Sequence, residues 1–334
     1  MSNWYLQNGK ESDVVECTKV SLSRNIDGFK FGNRCSKEDK EKILDLIENN
    51  DFGYGLKLLK LKDMDEVTKL SLIEKHLISP EFANLENESS AILINNEENI
   101  CIEINGEDHI HIQVFSEGLV IDELKNLAVE IDKKIEKIIN YAYSEKYGYL
   151  TACPTNVGTG FRVSTMVHLP ALCQTKNISK VLRIVNNFGM NAKNLYKEKL
   201  NADIFWISNN QTLGYSEGEI AKNVGTITEK IIEQERTARE HLGKQGIGLE
   251  NKVYRAYGLM AYSKIMEYNE FLRLMSLVKL GTDMGIIKEL DDSKVKKLCL
   301  YAKPANMQKY FGQPIEEGEQ AIKRAELINT IIKN

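Results

Sequence analysis

Apolar positions in this chain fall into two rhythms. Short runs rich in Ile, Val and Leu, at 56–61, 91–94, 100–104, 109–115, 162–169 and 204–208, read as β-strands. Between them the apolar residues recur at helical spacing. Leu124, Leu127, Ile131, Ile135, Ile138 and Ile139 mark one helix within 122–144, and Ile178, Val181, Leu182 and Val185 mark a second that Gly189 would stop. Ser216 followed by Glu219 is a capping-box pattern, and the helix it opens carries Ile220, Val224, Ile227 and Ile231. From Gly246 onward the strand rhythm vanishes and the pattern is wholly helical, with the glycine-rich stretch at 243–248 as the natural boundary. The expected architecture is an α+β unit over 1–243 and a smaller helical unit over 249–334.

One strand pair is expected to carry chemistry. The runs 100–104 and 107–115 alternate in period two around Asn105-Gly106, which predicts a hairpin with a tight turn. That alternation would place Glu107, His109 and His111 on one strand face. Two histidines in this spacing can bind zinc, but no further histidine is suggested nearby, and no metal ligand is assigned.

Composition narrows the classes. The chain has 334 residues, 42% hydrophobic and 28% charged, as expected of a globular protein with one large or two ordinary domains. The net charge of −4, with signs interspersed, gives no reason to expect nucleic acid as partner. No apolar run approaches the ~20 residues needed to span a bilayer, and Met1-Ser2-Asn3-Trp4-Tyr5 does not begin a secretory signal. Six cysteines, at 17, 35, 101, 153, 173 and 299, are scattered without a CxxC pair, which suggests free thiols and a cytoplasmic location.

The densest chemistry lies in Cys153-Pro154-Thr155-Asn156-Val157-Gly158-Thr159-Gly160-Phe161-Arg162, a thiol, a Gly/Thr loop and an arginine in close succession. This string resembles the signature of the ATP:guanidino phosphotransferases. The likeness extends through Leu22-Ser23-Arg24-Asn25, Glu74-Lys75-His76-Leu77-Ile78-Ser79-Pro80, Glu107-Asp108-His109-Ile110, His168-Leu169-Pro170-Ala171-Leu172 and Val253-Tyr254-Arg255-Ala256-Tyr257-Gly258. The tail and the Leu-Ile-Ser-Pro block are most similar to the bacterial protein-arginine kinase branch. The resemblance implies an antiparallel sheet flanked by helices, ATP with Mg²⁺, and arginine side chains of proteins as phosphoryl acceptors. It also implies a zinc-binding activator protein and a Clp-type protease as partners, and a homodimer is a reasonable expectation for the helical tail.

Residue by residue, the resemblance implies Glu107 as the general base on the guanidinium, Cys153 against the same cation, and Glu198 as a second substrate-side carboxylate on a loop shorter than the family's. Arg162 and Ser164 would lie with the phosphates, and His76 near the nucleotide. A guanidinium is a poor nucleophile, with a pKa above ~12 and delocalised lone pairs. Such a site must therefore work by positioning and electrostatics.

This chain departs from the family at the phosphate side. Where the family has Ser-Ser-Arg-x-Arg, the run is Cys17-Thr18-Lys19-Val20-Ser21; the family arginine after Glu-Asp-His is His111, and another appears as Lys193. The tail motif that binds phosphoarginine in the family reads Gln320-Ala321-Ile322-Lys323-Arg324-Ala325 and keeps only its end. Lysine remains an accepted phosphate ligand, so Lys19, Lys193 and Lys197 are candidates to compensate. Two readings follow: a protein-arginine kinase with weakened nucleotide use, or a catalytically impaired relative that binds protein partners.

Overall fold

The computed structural model describes residues 4–85, 88–196 and 202–333. Its strands are β1 (Val15–Arg24), β2 (Lys57–Lys60), β3 (Ala91–Ile94), β4 (Ile100–Ile104), β5 (Ile110–Ser116), β6 (Tyr143–Ser144), β7 (Gly148–Tyr149), β8 (Phe161–His168), β9 (Met190–Asn194) and β10 (Ile204–Asn209). Eight form one antiparallel sheet in the order β2-β3-β4-β5-β1-β8-β10-β9, and β6 pairs with β7 as a separate hairpin. The helices of the first unit are α1 (Lys37–Glu48), α2 (Glu66–Glu74), α3 (Pro80–Ala83), α4 (Ile121–Glu136), α5 (Pro170–Gln174), α6 (Ile178–Asn187) and α7 (Glu217–Gly243). The tail contains α8 (Ile247–Tyr262), α9 (Tyr268–Asp283), α10 (Asp292–Tyr301), α11 (Pro304–Phe311) and α12 (Gln320–Lys333).

The central strand, β1, is one that the sequence rhythm does not single out. Its alternation is real but couples apolar residues to small or charged ones. Val20 pairs with Val114 and Val163, and Leu22 with Ile112 and Phe161, so these share a face. That face packs on the buried stripes of α4 and α7, Leu124, Ala128, Ile131 and Ile135 on the first and Ile220, Val224, Ile227 and Ile231 on the second. The capping box at Ser216 and Glu219 forms as the spacing predicts. On the opposite face, Lys19 pairs with Ser164, Ser21 with Arg162 and Gln113, and Ser23 with His111. A sheet covered by helices on one side therefore presents a polar floor on the other.

Two sequence expectations are corrected. The helix foreseen over 122–144 stops at Glu136, because the following backbone is taken up by another segment: Asp27 N donates to Asn140 O and Ala142 N to Asn25 O. The β4–β5 connection is not a two-residue Asn-Gly turn. Ile104 pairs with Ile110, so residues 105–109 form a loop, closed by Asn105 N donating to His109 O. Glu107 and His109 thus leave the strand, and only His111 stands on its face.

The tail packs against the sheet unit and shares its apolar core. Gly246, with φ +55°, caps the start of α8 three residues after α7 ends. Ion pairs join the two units: Arg239, held in its own unit by Asp13 and Glu235, also meets Asp283 of the tail, and Lys296 of the tail meets Glu117. Arg324, the retained end of the tail motif, is 2% exposed; it donates to the carbonyls of Ala302 and Met266 and lies over the Tyr268 ring. In this chain it holds tail segments together rather than facing a ligand. Among the described residues no helix is long and apolar enough to cross a membrane.

Candidate active site

A cleft of about 2030 Å³ opens over the polar floor of the sheet. At one end the 105–109 loop, the segment before Cys153 and the start of β1's exit loop meet. Asp108 is the knot between them: its carboxylate accepts from Asn25 Nδ2 (2.7 Å) and from Ala152 N (2.7 Å). Asn25 also accepts from His109 N and donates to Leu150 O. Arg24, buried against Asp132 (2.7 Å) and the Tyr149 ring, donates to the carbonyls of Ser23 and Thr159 and so braces the signature loop from beneath. Gly160, at φ +60°, is required there, since a Cβ would stand 2.6 Å from Ser23 O.

This scaffold brings Glu107 and Cys153 each into electrostatic reach of Arg162. Glu107 is exposed to the cleft, and its carboxyl is raised above the usual range by burial first and by Asp108 second, with Arg162 opposing. A raised carboxyl is suited to accept a proton during reaction. Cys153 is half-buried at the rim, between the lining residues Ala152 and Asn156, with Sγ 3.1 Å from Thr155 Oγ1. Arg162 spends two of its five donors on Asn209 O (2.9 Å) and Asn156 Oδ1 (3.0 Å).

Farther along the floor stand Lys19, Ser164, Ser208, Asn191 and Lys193, brought into register by β1, β8, β10 and β9. Lys19 is half-buried over the Phe115 ring, and burial lowers its pKa. Beside it lies Glu103, whose carboxyl is pushed up to about 7 by burial, with Lys19 opposing. His111 is neutral: burial holds its ring down to about 3, aided by Lys19 and Arg162, and its Nδ1 is 3.0 Å from Ser23 Oγ. It therefore lines the cleft without supplying charge. His109 turns away altogether; its Nδ1 accepts from Ile26 N and its Nε2 lies 3.0 Å from Lys30 O. The shared His face expected from alternation does not exist.

His76 lines the same cleft with its ring edge against Trp206. It closes α2 as a left-handed cap (φ +63°), with its own N donating to Ile73 O and Leu77 N to Leu72 O. Glycine is the usual residue there, and a histidine costs roughly 1 kcal/mol. Its Nε2 is buried and unpartnered among the described residues. Glu198 and Lys197 lie outside the described residues.

The structure thus gathers Glu107, Lys19, Ser164, Lys193, His76 and His111 around one cleft, with Arg162 and Cys153 beside Glu107. Sequence reasoning passed over Asp108, Asn25 and Glu103. The first two sat inside quoted motifs, whereas Glu103 carries no local signal, because its meaning comes from its cross-strand neighbour His111.

Comparison with known proteins agrees with this geometry. Residues 39–238 match the model of the ATP:guanido phosphotransferase C-terminal catalytic domain, and residues 246–334 that of the protein-arginine kinase McsB C-terminal domain. The chain is 40% identical to a protein-arginine kinase of Halothermothrix orenii, covering 99% of this chain and 96% of that one. It is 40% identical to another of Bacillus licheniformis, covering 100% and 94%. In fold it is similar to lombricine kinase (TM-score 0.59, 21% identity, 68% of each chain). It is likewise similar to the duplicated taurocyamine kinase of Schistosoma mansoni (TM-score 0.57, 24% identity, 71% of this chain and 36% of that one). With a matching catalytic fold, a matching tail and relatives alike over their full length, the chain belongs to the ATP:guanido phosphotransferase family, in its protein-arginine kinase branch.

Proposed function

We propose that this protein transfers a phosphoryl group from ATP to arginine side chains of proteins, with residues 1–243 as the catalytic domain and 249–334 as a helical domain. The observation that supports the reading is that Glu107 lines the cleft and that Glu107 and Cys153 both bear electrostatically on the one arginine, Arg162. There Cys153 and Glu107 would hold the guanidinium, and Glu107 would take its proton as the new N–P bond forms. Arg162 would turn its free donors to the phosphoryl group in transit, in the manner of preorganised electrostatic stabilisation. Ser164, Lys19 and Lys193 would follow the phosphate chain, with His76 offering its unpartnered Nε2 to the nucleotide. Glu198 would complete the substrate side.

ATP supplies the phosphoryl group, and Mg²⁺, which takes most of its ligands from phosphate and water, would enter with it. Glu103 is the buried carboxylate beside these cations and would join the ion's shell. Protein substrates with exposed arginine, a zinc-binding activator, a Clp-type protease and a cytoplasmic setting complete the proposal. The test is incubation of the full chain with ATP–Mg²⁺ and a generic protein substrate, read by phosphoarginine mass spectrometry. Phosphoarginine is expected from the natural protein and is lost by about 10²–10⁴-fold in Glu107→Gln. Nucleotide binding with no phosphoarginine overturns the reading.

A further inference from the structure

The phosphate end of the cleft is short of charge. Ser21 and His111 contribute none, and burial lowers the pKa of Lys19. Of the sheet's cations, Arg162 and Lys193 remain, which is less than a triphosphate calls for. A further lysine does reach this end, and it comes from the tail. Lys303, at the N-cap of α11, lines the cleft together with Tyr268 of α9. Its charge and that of Lys19 both bear on the His76 ring, and all three side chains line the cleft.

Lys303 is held there by a specific joint. Its Nζ donates to Glu74 O (2.6 Å), while the Glu74 carboxylate accepts from Ala305 N and Asn306 N, each at 2.8 Å. Glu74 thus caps α11 and places its first residues against the end of α2. Ser71 Oγ, on α2, donates to Asn306 Oδ1 (2.7 Å) and completes the seam. Two residues beyond Glu74 the chain enters the left-handed turn at His76, whose unpartnered Nε2 is the second sign of a ligand at this spot. An ammonium has three donors, and Glu74 O takes one of those of Lys303. Burial lowers its pKa, with Glu74 opposing, and an anion beside it would favour the charged form.

We propose that Lys303 is a ligand for the polyphosphate chain of the nucleotide, so that the helical tail completes the phosphate end of the cleft and senses its occupancy. This rests on the cleft being a nucleotide site, as proposed above. An anion drawn to Lys303 would be felt directly at the α2–α11 seam, since Glu74 touches both the lysine and the start of α11.

The test uses the full chain and inorganic tripolyphosphate, by isothermal titration, with ATP kinetics beside it. Lys303→Gln is expected to weaken tripolyphosphate binding about tenfold and to raise the KM for ATP with little change in kcat, as befits a ligand lost equally from ground and transition states. Lys303→Arg should bind within about threefold of the natural protein, because the charge is kept. Ser71→Ala loosens the same seam without facing the cleft; it should lower thermal stability and leave tripolyphosphate affinity unchanged. The proposal is overturned if Lys303→Gln binds as the natural protein does, if Ser71→Ala weakens binding equally, or if the natural protein does not bind tripolyphosphate. Lysine-dependent tripolyphosphate binding in a protein that makes no phosphoarginine would refute the kinase reading and leave this one intact.

Discussion

The two ends of the cleft are built on different principles. At the end proposed for the guanidinium, Glu107 and Cys153 sit on loops, yet those loops are fastened by hydrogen bonds through Asp108, Asn25 and Arg24 to the backbone of Leu150, Ala152 and Thr159. At the phosphate end the groups stand on strands, rigid by themselves, but the charges have been exchanged: Lys19, Ser21 and His111 now stand beside a buried Glu103. On the proposed function, acceptor positioning rests on buried bonds, while the hold on nucleotide rests on whichever cations the strands and tail present. A loop held by buried polar bonds tolerates little change, because losing one partner strands the other. A strand face can exchange one polar side chain for another without altering the ladder beneath it.

Substitutions can break that comparison. The largest effect is expected from Glu107→Gln, which removes the base and should reduce kcat by about 10²–10⁴-fold with the fold intact; unchanged turnover would remove Glu107 from the chemistry. Next comes Arg162→Ala, expected to cost about 10²–10³ in kcat as a donor present in the transition state is lost. A rise in KM alone would make it a mere binding group. Asp108→Ala should lower both activity and stability, the latter by about 1–3 kcal/mol, since Ala152 N and Asn25 Nδ2 lose their acceptor. Chemical denaturation of this variant beside Asn25→Ala would show whether the two act as one unit.

The smallest effect belongs to Glu103 and depends on pH. Its folded pKa lies at about 7 against an ordinary 4.5. Between these values the unfolded chain releases the proton more readily than the folded one, so stability falls as pH rises through this window and levels off above it. Glu103→Gln should therefore raise the melting temperature more at pH 8 than at pH 5, by an amount equivalent to at most about 3 kcal/mol, reduced by the lost attraction to Lys19. An equal shift at both pH values would show that Glu103 is not held in its protonated form by burial.

Legibility followed locality. The string from Cys153 to Arg162 could be read directly, because its residues act on one another over a few positions. The capping box at Ser216 and Glu219 was equally plain, as were the strands whose apolar runs lie wholly inside the core. β1 was not, although it is the centre of the sheet, because its cleft-facing residues are Lys19, Ser21 and Ser23 and dilute the apolar signal. The Asn105-Gly106 pair misled for a related reason. Its turn propensity is genuine, but the loop is set by Asp108 and His109 bonding to Asn25 and Ile26, contacts that span 83 residues of sequence.

Sequence alone determined the kind of chain this is: the alternation of apolar positions, the helical tail and the contiguous signature are local, and local chemistry survives being read in one dimension. Tertiary structure decided which cations face the phosphate end and with what charge. Lys19 meets Glu103, His111 is stripped of its proton by burial, and Lys303 arrives from a separate helical unit. Charge in a cleft is a property of neighbours and of distance from water, and neither is written at any single position of the chain.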